Sequence, residues 1–232
     1  MNAINILEGD EVVDVRLTNG ENELVMASRN GYAVRFHENR VRTMGRVATG
    51  VRGMRLEGAD DAVVGMVVVN NPEQETIMVV SENGYGKRSQ VEDYRVTNRG
   101  TKGVKTLNIT DKTGRLVAIK NVTDENDLMI INKSGVVIRL AVDECRVMGR
   151  ATQGVRLINL TKKNEVIASV CKVMSSELEA LVEQKSREEY AQKSDTIRRD
   201  VTAPASEEPA DDTEVDDKPV DDDDAPVVDF GD

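Results

Sequence analysis

"MGRVATGVRG", residues 44–53, recurs at residues 148–157 as "MGRATQGVRL", and "TNRGTKGVKT", residues 97–106, supplies a copy between them. Aligned on Gly50, Gly103 and Gly154, the copies stand 53 and 51 residues apart. A second landmark keeps the same step: Gly31 in "NGYAVRF", Gly84 in "NGYGKRS" and Gly135 in "SGVVIRL". Two landmarks that hold one period over three units mark a repeat architecture.

Within each unit the periodicity is that of strands. "VVDVRL" (12–17) alternates Val13, Val15 and Leu17 with Asp14 and Arg16; "ELVMAS" (23–28) leads to a turn at Asn30-Gly31, after which Tyr32, Val34 and Phe36 alternate with Ala33 and Arg35. The third unit reads likewise, with "LVAIKNV", "LMIINK", a turn at Ser134-Gly135 and "VVIRL". About four short strands per unit predict an all-β, propeller-like fold of radially arranged blades. Three full repeats fall at about 9–58, 59–110 and 111–160 within a bladed region 1–174. "AINIL" (3–7) matches the closing strands "GVKTLNI" and "GVRLINL", and "VIASVCKV" (166–173) matches an opening strand. Three units and two remnants make a partial disc, so the chain reads as a piece of a longer protein. Residues 175–199 predict a short helix or linker, beginning "SSELEALVEQKSREEY", and 200–232 a disordered acidic tail.

The net charge of −11 conceals an asymmetry: Asp200 to Asp232 carries fourteen acids and one base, whereas residues 1–175 hold 25 Lys and Arg against 22 Asp and Glu. The tail is expected either to solvate the chain or to mimic a polyanion that competes for a basic surface. Cys145 and Cys171 lack metal-ligand spacing and His37 is the only histidine, which predicts reduced thiols and no metal. "LMIINKSGVVIRLAV" is interrupted by Lys133 and Arg139 and is too short for a bilayer, so a soluble protein with no membrane partner is expected. "NGYGKRS" lacks the spacing of a phosphate-binding P-loop, and no nucleophile–base pair is visible, so no catalytic residue is assigned.

Basic residues recur at four offsets in all three units: Arg35, Arg88 and Arg139; Arg42, Arg95 and Arg146; Arg46, Arg99 and Arg150; and Arg52, Lys105 and Arg156. With Lys87 and Lys102 they predict a basic stripe around the edge of an arc, the footprint of a polyanion-binding surface. The alternative use of such arginines is to pair with acids of a neighbouring blade. Gly45, Gly50, Gly53, Gly100, Gly103, Gly149 and Gly154 are expected to keep the backbone thin so that a polyanion approaches closely, in addition to supplying positive φ in turns. Aromatic residues make up only 3 % of the chain and Trp is absent, which argues against base stacking and for duplex DNA held through its phosphates. Lys87 and Ser89 stand where Val34 and Phe36 face inward, which predicts an exposed or edge strand whose charge adds to the surface.

"RVRTMGRVATGVRGMRL", "SENGYGKRSQVEDYRVTNRGTKGV" and "RVMGRATQGVRLI" resemble the C-terminal domain of the A subunit of bacterial DNA gyrase, over about residues 3–174. The resemblance implies a β-pinwheel whose neighbouring blades exchange strands and whose basic perimeter wraps duplex DNA. It further implies a cytoplasmic, nucleoid-associated setting and, as partners, the remainder of the gyrase A polypeptide and the gyrase B polypeptide. In the resulting A2B2 enzyme, ATP-dependent strand passage introduces negative supercoils, with ATP and Mg bound elsewhere and no cofactor in this segment. The catalytic tyrosine belongs to the N-terminal part of the A polypeptide, so none of Tyr32, Tyr85, Tyr94 or Tyr190 takes its role. The glycine- and lysine-containing box of the family's first blade has no equivalent here. That leaves the corresponding domain of topoisomerase IV as an alternative, with a propeller used as a protein-interaction platform as a second.

Overall fold

The computed structural model describes residues 3–160, 165–175, 179–180 and 183–187. By contacts the chain divides into a unit spanning 1–184 and a second spanning 185–232, of which 185–187 are described, helical and exposed. The expected tail, 200–232, lies outside the described residues, as does most of the expected helix.

Three β-hairpins carry the fold. They are β1 (Glu23–Ser28) with β2 (Tyr32–His37), β4 (Thr76–Ser81) with β5 (Tyr85–Gln90), and β8 (Asn126–Asn132) with β9 (Val137–Ala141). Each turns at a glycine with positive φ, Gly31 at 79°, Gly84 at 78° and Gly135 at 85°, where a side chain would be strained.

The hairpins do not find their sheet partners within their own repeat. β1 pairs with β3 (Val63–Val69), the opening strand of the second repeat, and β2 pairs with β6 (Val104–Lys105), near the end of that repeat. The second sheet repeats the scheme one step later, with β7 (Leu116–Val122) on β4 and β10 (Val155–Arg156) on β5. The third sheet contains β8, β9 and β11 (Ile167–Met174). Sheet orders are thus β3-β1-β2-β6, β10-β5-β4-β7 and β11-β8-β9, all antiparallel, and blade and repeat are out of phase. The strand expected at 12–17 does not form, and Val15 and Leu17 are exposed. Its equivalents β3 and β7 pair with the hairpin of the preceding unit, and the described residues ahead of 12 contain no such hairpin.

The central sheet is buried on both faces, which explains why β4 has no exposed residue. Ile77 and Val79 pack with Val25, Ala27, Val67, Leu107 and Leu116 of one core, while Met78 and Val80 pack with Leu128, Ile130, Val142 and Val170 of the next. Alternation along one strand therefore feeds two cores, and Val, Ile, Leu and Met fill them almost without aromatic help. Tyr94 is the exception: it is fully buried and its hydroxyl bonds Thr106 Oγ1 at 2.6 Å, with burial pushing its pKa up to about 12.

Candidate nucleic-acid interface

The glycine-and-arginine phrases form the segments 42–52, 95–105 and 146–156, of which the second and third lead back from one hairpin to the preceding one. After Thr97 and Met148, whose N–H groups donate to Arg35 O and Arg88 O, the chain crosses to the preceding blade and ends in β6 or β10. At the crossing the two backbones touch. A Cβ on Gly103 would lie 2.0 Å from Ala33 O, and one on Gly154 would lie 2.4 Å from Gly86 O. The close approach made by these glycines is thus to the neighbouring blade, rather than to the outside. Gly45 and Gly149, where an added Cβ meets nothing within 4 Å, remain open.

The four recurrent basic positions divide into distinct uses. Arg35 and Arg88 are 9 % and 6 % exposed and lie inside the sheet stack, not on the rim. Arg35 pairs with Glu23 and donates to the carbonyls of Val91 and Tyr94; Arg88 pairs with Asp124 at 2.6 Å and donates to Val142 O. Arg139 is more open but pairs with Asp127 at 2.6 Å and donates to Met174 O. The carbonyls that Arg35 and Arg88 reach lie in the turn after the next hairpin, where Val91 O and Val142 O also accept from Tyr94 N–H and Cys145 N–H, and the fixed fork of the guanidinium ties that turn to the preceding blade. This position thus serves structural pairing, but the neighbouring-blade acid expected for it is found only for Arg88; Arg35 and Arg139 pair with acids of their own hairpins.

Arg99 and Arg150 act as staples. Arg99 donates from Nε to Arg40 O and from Nη1 to Arg52 O, at 2.8 and 3.1 Å, spanning the two ends of the first loop. Arg150 does the same one repeat later, to Asp93 O at 3.0 Å and Lys105 O at 2.9 Å. The first and second loops are therefore each pinned by an arginine from the next. A guanidinium carries five N–H donors, so two carbonyl bonds leave others for an anion. Arg46, at the equivalent place in the first loop, is exposed.

Arg42, Arg95 and Arg146 face solvent and form no hydrogen bond or ion pair with a described residue. Arg52, Lys105 and Arg156 are also exposed; Lys105 reaches Asn108 and Arg156 reaches the equivalent Asn159. Arg156 further donates to the Tyr85 hydroxyl at 3.1 Å, which together with Lys112 holds that phenol below its ordinary pKa. Lys102 is half-buried, with its ammonium 2.6 Å from Glu57 and 4.0 Å from the Tyr32 ring centroid. Lys112, 5.4 Å from the Tyr85 ring, stands outside the expected set because it does not recur. That contact joins residues far apart in the sequence, so no local pattern marks it.

Lys87 departs most from expectation. β5 lies between β10 and β4, not at an edge, and Lys87 is 0 % exposed. Its ammonium donates to Gly149 O at 2.6 Å while Ser89 Oγ donates to Met148 O at 2.8 Å. Burial pushes its pKa down to about 8, opposed by Asp93 and reinforced by Arg150.

No group of three or more His, Cys, Asp or Glu able to hold a metal occurs among the described residues, and none of their helices is long and apolar enough to cross a membrane. Strand-exchanged β blades joined by arginine-stapled loops with further arginines outside define a bladed module with a basic rim. The family model described as "DNA gyrase C-terminal domain, beta-propeller" matches residues 22–70, 75–123 and 126–171, each match starting at or just ahead of a hairpin. The chain belongs to that family. The A subunit of DNA gyrase from Staphylococcus aureus (strain MRSA252) is 46 % identical over 171 residues, 74 % of this chain and 19 % of that protein, so the chain spans about a fifth of such curated relatives. Among solved structures it is similar to the C-terminal domain of DNA topoisomerase IV, with TM-score 0.70 and 28 % identity over 79 % of this chain and 57 % of that one. It is also similar to the DNA gyrase A C-terminal domain, with TM-score 0.67 and 25 % identity over 74 % and 57 %.

Proposed function

We propose that this module binds duplex DNA around its rim through phosphates, without reading bases, as the wrapping part of a gyrase A polypeptide. In the intact A2B2 enzyme, with the gyrase B polypeptide as partner and ATP and Mg bound elsewhere, wrapping would present a DNA crossing of one hand for strand passage and negative supercoiling. The supporting observation is the row Arg42, Arg95 and Arg146: at one recurrent place in each loop, an exposed guanidinium with no hydrogen bond or ion pair to a described residue, on loops tied to each other by Arg99 and Arg150. Arg46, Arg52, Lys105 and Arg156 flank that row. The buried Arg35, Arg88 and Lys87 are left out of it. Guanidinium pairs well with phosphate because two parallel N–H groups match two oxygens.

The test is duplex affinity against salt for the full chain and for the triple variant Arg42→Ala, Arg95→Ala, Arg146→Ala. Each phosphate contact removed should reduce the log–log slope by about 0.9. Removing three should therefore flatten the slope by roughly 2.7, equally for unrelated sequences. Unchanged affinity and slope would end the basic-rim proposal. The likeness to the topoisomerase IV domain favours a second outcome for the intact enzyme, relaxation and decatenation without supercoil introduction. A topology assay with the B polypeptide present separates the two.

A further inference from the structure

The second blade holds a charged side chain where its neighbours hold aliphatic ones. Lys87 aligns with Val34 and Ile138, and the first of these is buried among Leu24, Phe36 and Met54. Either aliphatic residue would satisfy the sheet. An ammonium buried at this position costs stability unless it is hydrogen-bonded. Its bond goes to Gly149 O, in the middle of the loop that carries Arg146 and Arg150. Ser89, two residues on, replaces Phe36 of the first blade and bonds the adjacent carbonyl, Met148 O. Two polar substitutions on one strand thus converge on one peptide segment of the next repeat. In the first blade Val34 and Phe36 lie instead in an apolar cluster with Leu24, Met54 and Val68.

We propose that Lys87 is a positioning residue for the rim: its buried ammonium fixes the third loop so that Arg146 and Arg150 hold the geometry needed to engage duplex phosphates. The proposal deepens the duplex-binding function and rests on it. The surroundings of the ammonium are simple. Across the sheet on β4 stands Val79, and on the β10 side Gly154 packs against the Lys87 Cβ. Asp93, in the turn after β5, favours the charge, and Arg150, from the loop itself, opposes it. A charged donor bonds a carbonyl about twice as strongly as a neutral one.

The experiment uses the full chain and Lys87→Met, which keeps the length of the stem and removes the donor. Amide hydrogen exchange at Met148 and Thr152, compared between the proteins at one pH, reads the loop without DNA. Exchange should be faster in the variant by about tenfold, the scale of losing one net hydrogen bond. Affinity for a generic duplex at pH 7 should fall by roughly three- to tenfold, on the same scale. The log–log salt slope of duplex affinity should also flatten in the variant, by up to about 0.9 for each of Arg146 and Arg150 that loses its phosphate. Ser89→Ala, which leaves Lys87 in place, should give a weaker change of the same kind. Unchanged exchange, or faster exchange with unchanged affinity and salt slope, would overturn the proposal. Should the parent itself not bind duplex, the duplex function fails, and the exchange arm still decides whether Lys87 holds the loop.

Discussion

Replacing Gly103 by Ala tests whether strand exchange is what requires the recurrent glycine. The added Cβ would fall 2.0 Å from Ala33 O, 2.5 Å from Ala33 C and 2.9 Å from Val34 N, all backbone atoms of β2. No side-chain rotation can relieve that, so β6 must move off β2. The pair Ala33 with Val104 and the bonds from Thr106 and Leu107 N–H to Gly31 O lie beside the clash. Two costs add. A φ of 82° in a residue with a side chain costs about 1–2 kcal/mol. Overpacking against fixed atoms costs typically about 1–3 kcal/mol more. The total of about 2–5 kcal/mol corresponds to a fall in Tm of roughly 5–15 °C for a chain of this size. Gly50 supplies the control: it holds the same place in the first loop, has φ 87°, and an added Cβ there meets nothing within 4 Å. Gly50→Ala should incur the backbone term alone, about 1–2 kcal/mol. Thermal unfolding followed by circular dichroism measures both, and Gly154→Ala should behave like Gly103→Ala. If Gly103→Ala loses no more than Gly50→Ala, the inter-blade approach is not what demands glycine, and the reasoning is refuted.

Arg35→Met removes a guanidinium from Glu23 and two backbone carbonyls, and should cost about 3–5 kcal/mol, as expected for breaking a buried pair. Arg42→Ala, at an exposed site, should stay within about 0.5 kcal/mol of the parent, so denaturant unfolding of the two separates latch from rim. Lys87 has a folded pKa depressed from 10.5 to about 8, so its charged form is disfavoured in the fold and the penalty is fully present below pH 8. The stability of the parent relative to Lys87→Met should therefore rise between about pH 8 and 10.5; a constant difference across that window would contradict the depressed pKa. Removing residues 200–232, which carry fourteen acids, should tighten duplex binding if the segment competes for the rim, and unchanged affinity would leave it a solvating end.

The hairpins are legible in the sequence because strand alternation and a turn glycine are local signals. Tyr32, Val34 and Phe36 announce a strand whatever it pairs with. The partner is not a local property. β6 and β10 are two residues each and join hairpins about seventy residues back, and nothing in "GVK" or "GVR" says which hairpin that is. The same blindness produces the strand expected at 12–17, whose alternation is right but which has no preceding hairpin to pair with among the described residues. Lys87 occupies the inward register that alternation predicts. A lysine there suggests an edge only while the carbonyl that accepts from it, in the following repeat, is out of view.

The recurrent arginines show why a repeat needs more than counting. Surface charge has no obligation to recur, so recurrence by itself suggests a rim for a polyanion. The fold makes a second periodic demand, however: the turn after the next hairpin is tied to a buried arginine, through Val91 O and Tyr94 O to Arg35 and through Val142 O to Arg88. Arg35 and Arg88 meet that demand and do not serve the rim. Arg99 and Arg150 stand between, with some donors spent on the previous loop and the rest turned outward. A ligand bound there would press on the joint between loops as well as on a charge. The three positions that neither latch nor staple, Arg42, Arg95 and Arg146, therefore carry the cleanest test of duplex binding, because their removal disturbs no hydrogen bond or ion pair among the described residues.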